Sequence, residues 1–372
     1  MKILVASDKF KGSMTAAEAC QAIRGGLEMG KAGCPHQIRC VPIADGGEGM
    51  ASVITQAKLG KWRQFEVSGP LGDRVRAGFG TIDDGRTAVI EMAEASGMGR
   101  LQNRTNNPFS ASSFGTGELM KRAQDLGVKH ILLGIGGSAT NEGGTGMALA
   151  LGYRFLDSHG DPIAAIPEKL LDAESIVPPA EIEEFPLVTV ACDVTNPLLG
   201  VNGCTRIYGA QKGISKSAFS RHEKRLEHLV SLLGEAGEDA ASQPGSGAAG
   251  GLGFGCLVFL RSKLTPGFDL LAEILDLEAQ VKWADFIITG EGKIDSQTPQ
   301  GKAPAEMARL AAKYGKKIVA FCGVHEEAGL ELASRFDEII QLDRGGRDLH
   351  QSMNEGIQLL KETVSRAHAT LL

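Results

Sequence analysis

The sequence predicts an α/β protein in which a parallel-sheet domain built from both chain ends is interrupted by a second, inserted α/β domain. Three observations carry that expectation. The chain opens with short β-branched and aliphatic runs alternating with helix-period segments, the signature of a doubly wound sheet. The rhythm then breaks into consecutive strand-like runs with no helix between them, and after Phe286 the opening rhythm returns. A chain of 372 residues also corresponds to about two domains.

The elements follow in order. Ile3, Leu4, Val5 and Ala6 form a continuous apolar run, as expected of a parallel strand buried on both faces. Thr15 and Glu18 have capping-box spacing and open a helix running to about residue 30. A second strand over about 38–43 leads into Asp45-Gly46-Gly47-Glu48-Gly49 and a helix to about Leu59. Residues 62–68, 75–82 and 87–92 read as an antiparallel meander with turns at Gly69-Pro70 and Asp83-Asp84-Gly85. A helix near 117–126, a strand near 131–133, a glycine-rich turn and another helix follow, then a strand at 187–191, a helix over 219–233 and a glycine-rich helix near 251–260. Strands near 286–289, 318–322 and 338–342 alternate with helices near 304–314 and 327–334, and a last helix spans about 349–368. The economical assembly is a Rossmann-like or flavodoxin-like domain from residues 1–62 plus 279–372, with 63–278 inserted.

Composition excludes several functions. A net charge of −6 offers no broad electrostatic footprint for nucleic acid, and aromatics at 5% are too scarce for base-stacking platforms. Asp8-Lys9 interrupts the N-terminal apolar run before a signal-peptide core can form, and the longest apolar stretch, 247–260, is too short and glycine-rich to span a bilayer. Seven cysteines without a CxxC read as reduced thiols, so a cytoplasmic protein without membrane partners is expected. The eight histidines show no HExxH or other zinc spacing.

Ligands of open parallel sheets collect beyond the carboxyl ends of the strands. Asp8, Lys9 and Lys11 follow the first strand, Asp45 and Glu48 the second, and Glu291, Lys293 and Asp295, with Lys302 beyond, the strand at 286–289. Carboxylates mixed with lysines around glycine turns suit Mg²⁺ and phosphate together. The competing reading is that loop ends of every α/β protein are polar. In the middle section, Gly134-Ile135-Gly136-Gly137-Ser138-Ala139-Thr140-Asn141-Glu142 leaves a strand and opens a helix, so its amides and the helix N-terminus would cradle an anion unless it is a structural turn. Gly245-Ser246-Gly247-Ala248-Ala249-Gly250 matches GxGxxG but follows Gln243-Pro244 rather than a strand, so it is read as a phosphate-facing loop and not a dinucleotide fingerprint. Asp193, with Asn196 three residues on, leaves another strand end, where it would activate a hydroxyl, hold a metal or form an Asx turn before Pro197. The residues alone reach Mg-dependent handling of a phosphorylated small molecule.

Together these loops resemble the type-1 glycerate kinase family. The resemblance rests on Asp8-Lys9-Phe10-Lys11-Gly12-Ser13, Ala44-Asp45-Gly46-Gly47-Glu48-Gly49, Gly136-Gly137-Ser138-Ala139-Thr140-Asn141 and Ala191-Cys192-Asp193-Val194-Thr195-Asn196-Pro197. It continues through Gln211-Lys212-Gly213, Gly247-Ala248-Ala249-Gly250-Gly251 and Ile288-Thr289-Gly290-Glu291-Gly292 with Asp295, so it covers essentially the whole chain in order. It implies ATP- and Mg²⁺-dependent phosphorylation of D-glycerate, with the 2-position favoured, on an interrupted Rossmann-like fold. The roles expected on that basis are Asp45 or Asp193 as the hydroxyl-activating acid, with Lys11 and Lys212 neutralising the transferring group. Gly136, Gly137, Ser138, Thr140, Asn141, Gly245, Gly247 and Gly250 would receive phosphates, and Glu291 and Asp295 would hold the metal. Asp8, Ser13, Asn196, Gln211 and Lys302 would bind glycerate. The sequence departs from the family pattern at Lys9 (usually serine), Glu142 (aspartate), Ala210 (proline) and Ser246 (alanine). The rival readings are a nucleotide-cofactor oxidoreductase on a small hydroxy acid and a non-catalytic sugar-acid-binding protein. The partners are small molecules in every case, with a homo-oligomer left open.

Overall fold

A computed structural model describes residues 1–29, 36–44, 46–102, 104–164, 166–180, 182–295, 302–326, 335–342 and 346–371. In chain order the strands are β1 (Lys2–Val5), β2 (Gln37–Cys40), β3 (Lys61–Ser68), β4 (Arg74–Ile82), β5 (Thr87–Glu91), β6 (His130–Gly134), β7 (Arg154–Leu156), β8 (Ser175–Val177), β9 (Leu187–Ala191), β10 (Lys263–Thr265), β11 (Phe286–Ile294), β12 (Lys317–His325) and β13 (Glu338–Gln341). The chain forms two compact units: unit 1 comprises Met1–Asp45 and Phe268–Leu372, and unit 2 comprises Gly46–Gly267.

Unit 1 carries a five-stranded sheet in the order β13-β12-β11-β1-β2, with all four pairings parallel. β1 lies inside the sheet with Ile3, Leu4 and Val5 fully buried, which is why its sequence is continuously apolar and not alternating. β2 lies at an edge and alternates exposed with half-buried residues. Ala16–Met29 packs Ala19, Ile23 and Leu27 into a core shared with Ile288, Phe321, Leu360 and Val364. Its start is the expected capping box: the Thr15 amide donates to Glu18 Oε2 at 2.9 Å and the Glu18 amide to Thr15 Oγ1 at 3.2 Å. The helix expected at 327–334 lies outside the described residues.

Unit 2 carries a six-stranded sheet in the order β10-β9-β6-β5-β4-β3. The expected meander is present as antiparallel β3-β4-β5, but β5 then pairs parallel with β6, so the meander merges into a parallel sheet completed by β9 and β10. β10 and the antiparallel pair β7-β8 were not expected from the sequence; each strand has three residues, too few to register a period. The chain divides at 45/46 and 267/268, and the sequence predicts cuts at 62/63 and 278/279. The reason at the first cut is the helix Met50–Ala57, whose partners are β4 and β5 of unit 2. Gly60 also lies against β4: a β-carbon there would come within 2.4 Å of the Thr81 carbonyl oxygen.

Among the described residues no helix is long and apolar enough to cross a membrane.

Candidate functional site

In unit 2 the carboxyl ends of the parallel strands bring the motif loops against one another. β6 ends at Gly134 and the chain runs through 135–144 before the helix Thr145–Ala150. Gly250 packs onto this loop so closely that a β-carbon would lie 2.0 Å from the Thr140 carbonyl oxygen, and its φ of +68° is one that L side chains rarely adopt. The Gly250 carbonyl accepts from the amides of Glu142 and Gly143, both at 3.1 Å. Gly245 and Gly247 pack instead on the segment after β9. A β-carbon on Gly245 would lie 3.0 Å from Cys192 Sγ, and the Gly247 amide donates to the Asn196 carbonyl at 2.9 Å. The GxGxxG string therefore serves loop-on-loop packing. It enters the helix Ala248–Leu260 from the end of the helix Phe219–Ser242, with no preceding strand.

Lys212 stands where these loops meet. It is 2% exposed, and its ammonium donates to Ser138 Oγ at 2.6 Å and to the Thr140 carbonyl at 2.7 Å. Among the described residues it forms no ion pair. Burial pushes its pKa down to about 8, outweighing the opposing fields of the Cys204 thiol and the Glu142 carboxylate. Asn106, which the sequence reading did not single out, holds the arrangement by donating to both the Ala139 carbonyl (2.8 Å) and the Lys212 carbonyl (2.9 Å). Asn141 is 1% exposed, its amide donating to Thr205 Oγ1 at 3.0 Å, while its buried Oδ1 has no partner among the described residues. Asn196 is engaged on both ends, donating to the Asn202 carbonyl at 2.9 Å and accepting from Tyr208 at 2.6 Å. Gln211 is exposed.

The helix N-terminus after this loop differs from expectation. Glu142 accepts from Ser113 Oγ at 2.6 Å, from the Gly146 amide at 2.7 Å and from Thr145 Oγ1, while the Met147 amide donates to Ser113. The protein's own carboxylate and hydroxyl occupy the terminal amides that an anion would use, so this helix end is no cradle. A second buried acid that the sequence reading missed, Glu91 at the end of β5, accepts from the amides of Gly49 and Ala51 at 3.0 and 2.7 Å and fixes the start of Met50–Ala57. Its only sequence signal is an acid closing an apolar strand. The segment it anchors in turn meets the 136–141 loop, since a β-carbon on Gly136 would lie 2.9 Å from Gly47 Cα. Asp193 accepts from the amides of Gly46 (2.8 Å) and Gly267 (2.6 Å). Asp45 lies outside the described residues.

Unit 1 assembles a different set. The sequence predicts a strand ending at 289 with Glu291 in the following loop; β11 instead continues to Ile294, with Glu291 opposite Cys322 in the ladder. Glycines weaken strand preference, but β12 pairs with Gly290, Glu291, Lys293 and Ile294 across this stretch. Glu291 is thus a 6%-exposed carboxylate within a strand. Asp295 leaves the end of the same strand, and both acids converge on one ammonium: Lys302 Nζ lies 3.7 Å from Glu291 Oε2 and 3.4 Å from Asp295 Oδ1. Lys293 Nζ is 3.5 Å from Asp295. The loop after β1 lies on this strand, where the Asp8 amide donates to the Gly290 carbonyl at 2.9 Å and a β-carbon on Gly292 would lie 3.2 Å from the Lys11 backbone nitrogen. Lys11 is exposed, and the Ser13 hydroxyl donates to the Met353 carbonyl at 2.6 Å.

Among the described residues no group of three or more metal-ligating side chains exists. Two hard oxygen donors already gathered around a cation nevertheless fit Mg²⁺, which keeps several waters and takes only one or two protein carboxylates when it also binds phosphate.

Comparison with known proteins gives one consistent result. The sequence profile of the glycerate kinase family matches residues 3–372. The glycerate kinase of Halalkalibacterium halodurans is 41% identical, covering 97% of this chain and 95% of that protein. The glycerate 2-kinase of Escherichia coli is 40% identical over 87% of this chain and 85% of its own. The crystal structure of a putative glycerate kinase 2 from Salmonella typhimurium LT2 superposes with a TM-score of 0.87 at 36% identity, covering 100% of this chain and 98% of that one.

Proposed function

The chain belongs to the glycerate kinase family, and from that premise we propose that it transfers the γ-phosphoryl group of ATP to the 2-hydroxyl of D-glycerate in the presence of Mg²⁺. The observation that carries this reading is Lys212: a buried ammonium held only by neutral oxygens, at the meeting point of three glycine-rich or strand-end loops, calls for an anionic ligand. Phosphoryl transfer demands little covalent work from the protein; positioning and charge neutralisation dominate.

In this reading the 136–141 and 245–251 loops receive the nucleotide phosphates, with Ser138, Thr140 and Asn141 as polar contacts and Lys212 neutralising the transferring group. Glu291 and Asp295 would hold Mg²⁺, which supplies neutralisation of phosphate charge. Lys302, displaced from the two carboxylates, joins Lys11 in meeting anionic oxygens of the substrates. Asp8, Ser13, Asn196 and Gln211 complete the contacts to glycerate. The attacking hydroxyl is oriented by an aspartate that takes its proton, the two candidates from the motif loops being Asp45 and Asp193.

Phosphorus NMR of the product formed from ATP and D-glycerate tests the reading directly. The expected product is 2-phosphoglycerate, formed with Mg²⁺ and not in excess EDTA. Full turnover in EDTA, or tight glycerate binding without ATP consumption, would overturn it.

A further inference from the structure

We infer that Asp193 is a positioning residue: its carboxylate clips the entry and exit of unit 2 to the end of β9 and does not take the proton from the substrate hydroxyl. The inference uses the kinase reading above only for its activity measurements.

The chain enters unit 2 at Gly46 and leaves it at Gly267. Both backbone amides donate to Asp193, Gly46 to Oδ2 at 2.8 Å and Gly267 to Oδ1 at 2.6 Å, so each carboxylate oxygen holds one crossing. Asp193 itself is exposed, whereas both glycines are buried. The two crossings touch backbone to backbone: a β-carbon on Gly267 would lie 2.2 Å from Gly46 Cα, and one on Gly46 would lie 2.5 Å from Asp193 Oδ2. The Cys192 amide donates to the Thr265 carbonyl at 2.9 Å, so the carboxylate extends the β9-β10 pairing one step past the strand ends.

A carboxylate is the one side chain of this size that accepts on both oxygens, and its bonds to amides are charge-assisted. Asparagine would turn an NH₂ toward one of the two N–H donors. A base role would require the carboxylate to take up a proton in each turnover and so loosen both crossings at the moment of transfer. The positioning reaches the phosphate loop through contacts already described. Gly46 begins the segment that Glu91 anchors, and Gly47 of that segment packs on Gly136. Loss of the clip should therefore appear first as weakened nucleotide binding.

Hydrogen exchange on the wild-type protein is the first test. The Gly46 and Gly267 amides should exchange at least about 10³-fold more slowly than unstructured amides. Exchange at unstructured rates would overturn the inference whatever the activity. The second test pairs Asp193→Asn with Gly267→Ala, which wedges the crossings apart and presses on Asp193 Oδ2 at 2.8 Å while leaving the negative charge in place. Each should raise KM for ATP about tenfold with kcat within about threefold. The double variant should be no worse than the worse single one, because both break one unit. The acid limb of the kcat/KM pH profile should survive in Asp193→Asn. A fall in kcat of about 10²-fold or more with KM unchanged, loss of the acid limb, or additive effects would make Asp193 the base. If Gly267→Ala does not fold, the Asp193→Asn profile and the wild-type exchange still decide. Absence of glycerate phosphorylation by the wild type would overturn the proposed function, and the exchange result alone would then judge the clip.

Discussion

Lys212 and Lys302 face opposite surroundings. Lys212, in unit 2, is buried and bound by one hydroxyl and one carbonyl, with no ion pair among the described residues. Lys302, in unit 1, is part-exposed and sits between the carboxylates of Glu291 and Asp295. A buried cation with only neutral partners is incomplete until an anion arrives, and burial already pushes its pKa down to about 8. A cation between two carboxylates is complete, and another cation can replace it. In the proposed function the same residue type serves opposite exchanges: unit 2 gains negative charge, and unit 1 swaps one positive charge for another. The packing follows the same division. Unit 2 packs its loops through close glycine contacts and buried side-chain ties such as Asn106, whereas unit 1 gathers its acids around the long side chain of Lys302.

The largest expected effect attacks the rigid side. Gly250→Ala places a methyl 2.0 Å from the Thr140 oxygen at a φ of +68°, combining overpacking with left-handed strain. It should cost about 2–5 kcal/mol, read as a drop in the urea midpoint. Next comes Lys212→Ala, which should lower kcat/KM by about 10²-fold or more, on the order of 3 kcal/mol of transition-state stabilisation. The wild type supplies a pH counterpart: kcat/KM should fall as pH rises through about 8 and the ammonium is lost. Stability should move the other way. Between about 8 and the ordinary lysine value of 10.5 the unfolded chain binds more protons than the folded one, so the Lys212 contribution to unfolding free energy rises with pH in that window. Equal pH dependence in wild type and Lys212→Ala would break the comparison. Glu291→Gln, on the exchangeable side, should raise the Mg²⁺ concentration for half-maximal activity about tenfold, with most of kcat recovered at saturating Mg²⁺. The smallest effect is expected for Gly292→Ala, where the added methyl meets the Lys11 backbone nitrogen at a tight 3.2 Å that a shift of a few tenths of an ångström relieves. A loss within about 1 kcal/mol would confirm that unit 1 packs more loosely there than unit 2 does at Gly250.

Much of this arrangement is legible in the chain because it is local. The all-apolar run of β1 announces a strand with sheet on both sides, and Thr15 with Glu18 announces a helix start three residues wide. The motif loops can be placed at strand ends because the alternation of apolar runs shows where strands stop. Where the local signal misleads, a distant partner has overruled it. Gly290 and Gly292 look like a loop, yet β11 continues through them because β12 pairs with the residues on either side of Gly292.

Taken alone, the sequence determined the fold class, the order of the loops and the residue types they carry, since periodicity, capping and turn chemistry act over a few residues. Only the tertiary structure decided what each polar group is bound to. Asp193 reaches an amide 147 positions away, Asn106 a carbonyl 106 positions away and Lys212 a hydroxyl 74 positions away. The physical reason is range: a hydrogen bond acts over about 3 Å, and which atoms come that close depends on how whole strands and loops pack, which no local pattern along the chain encodes.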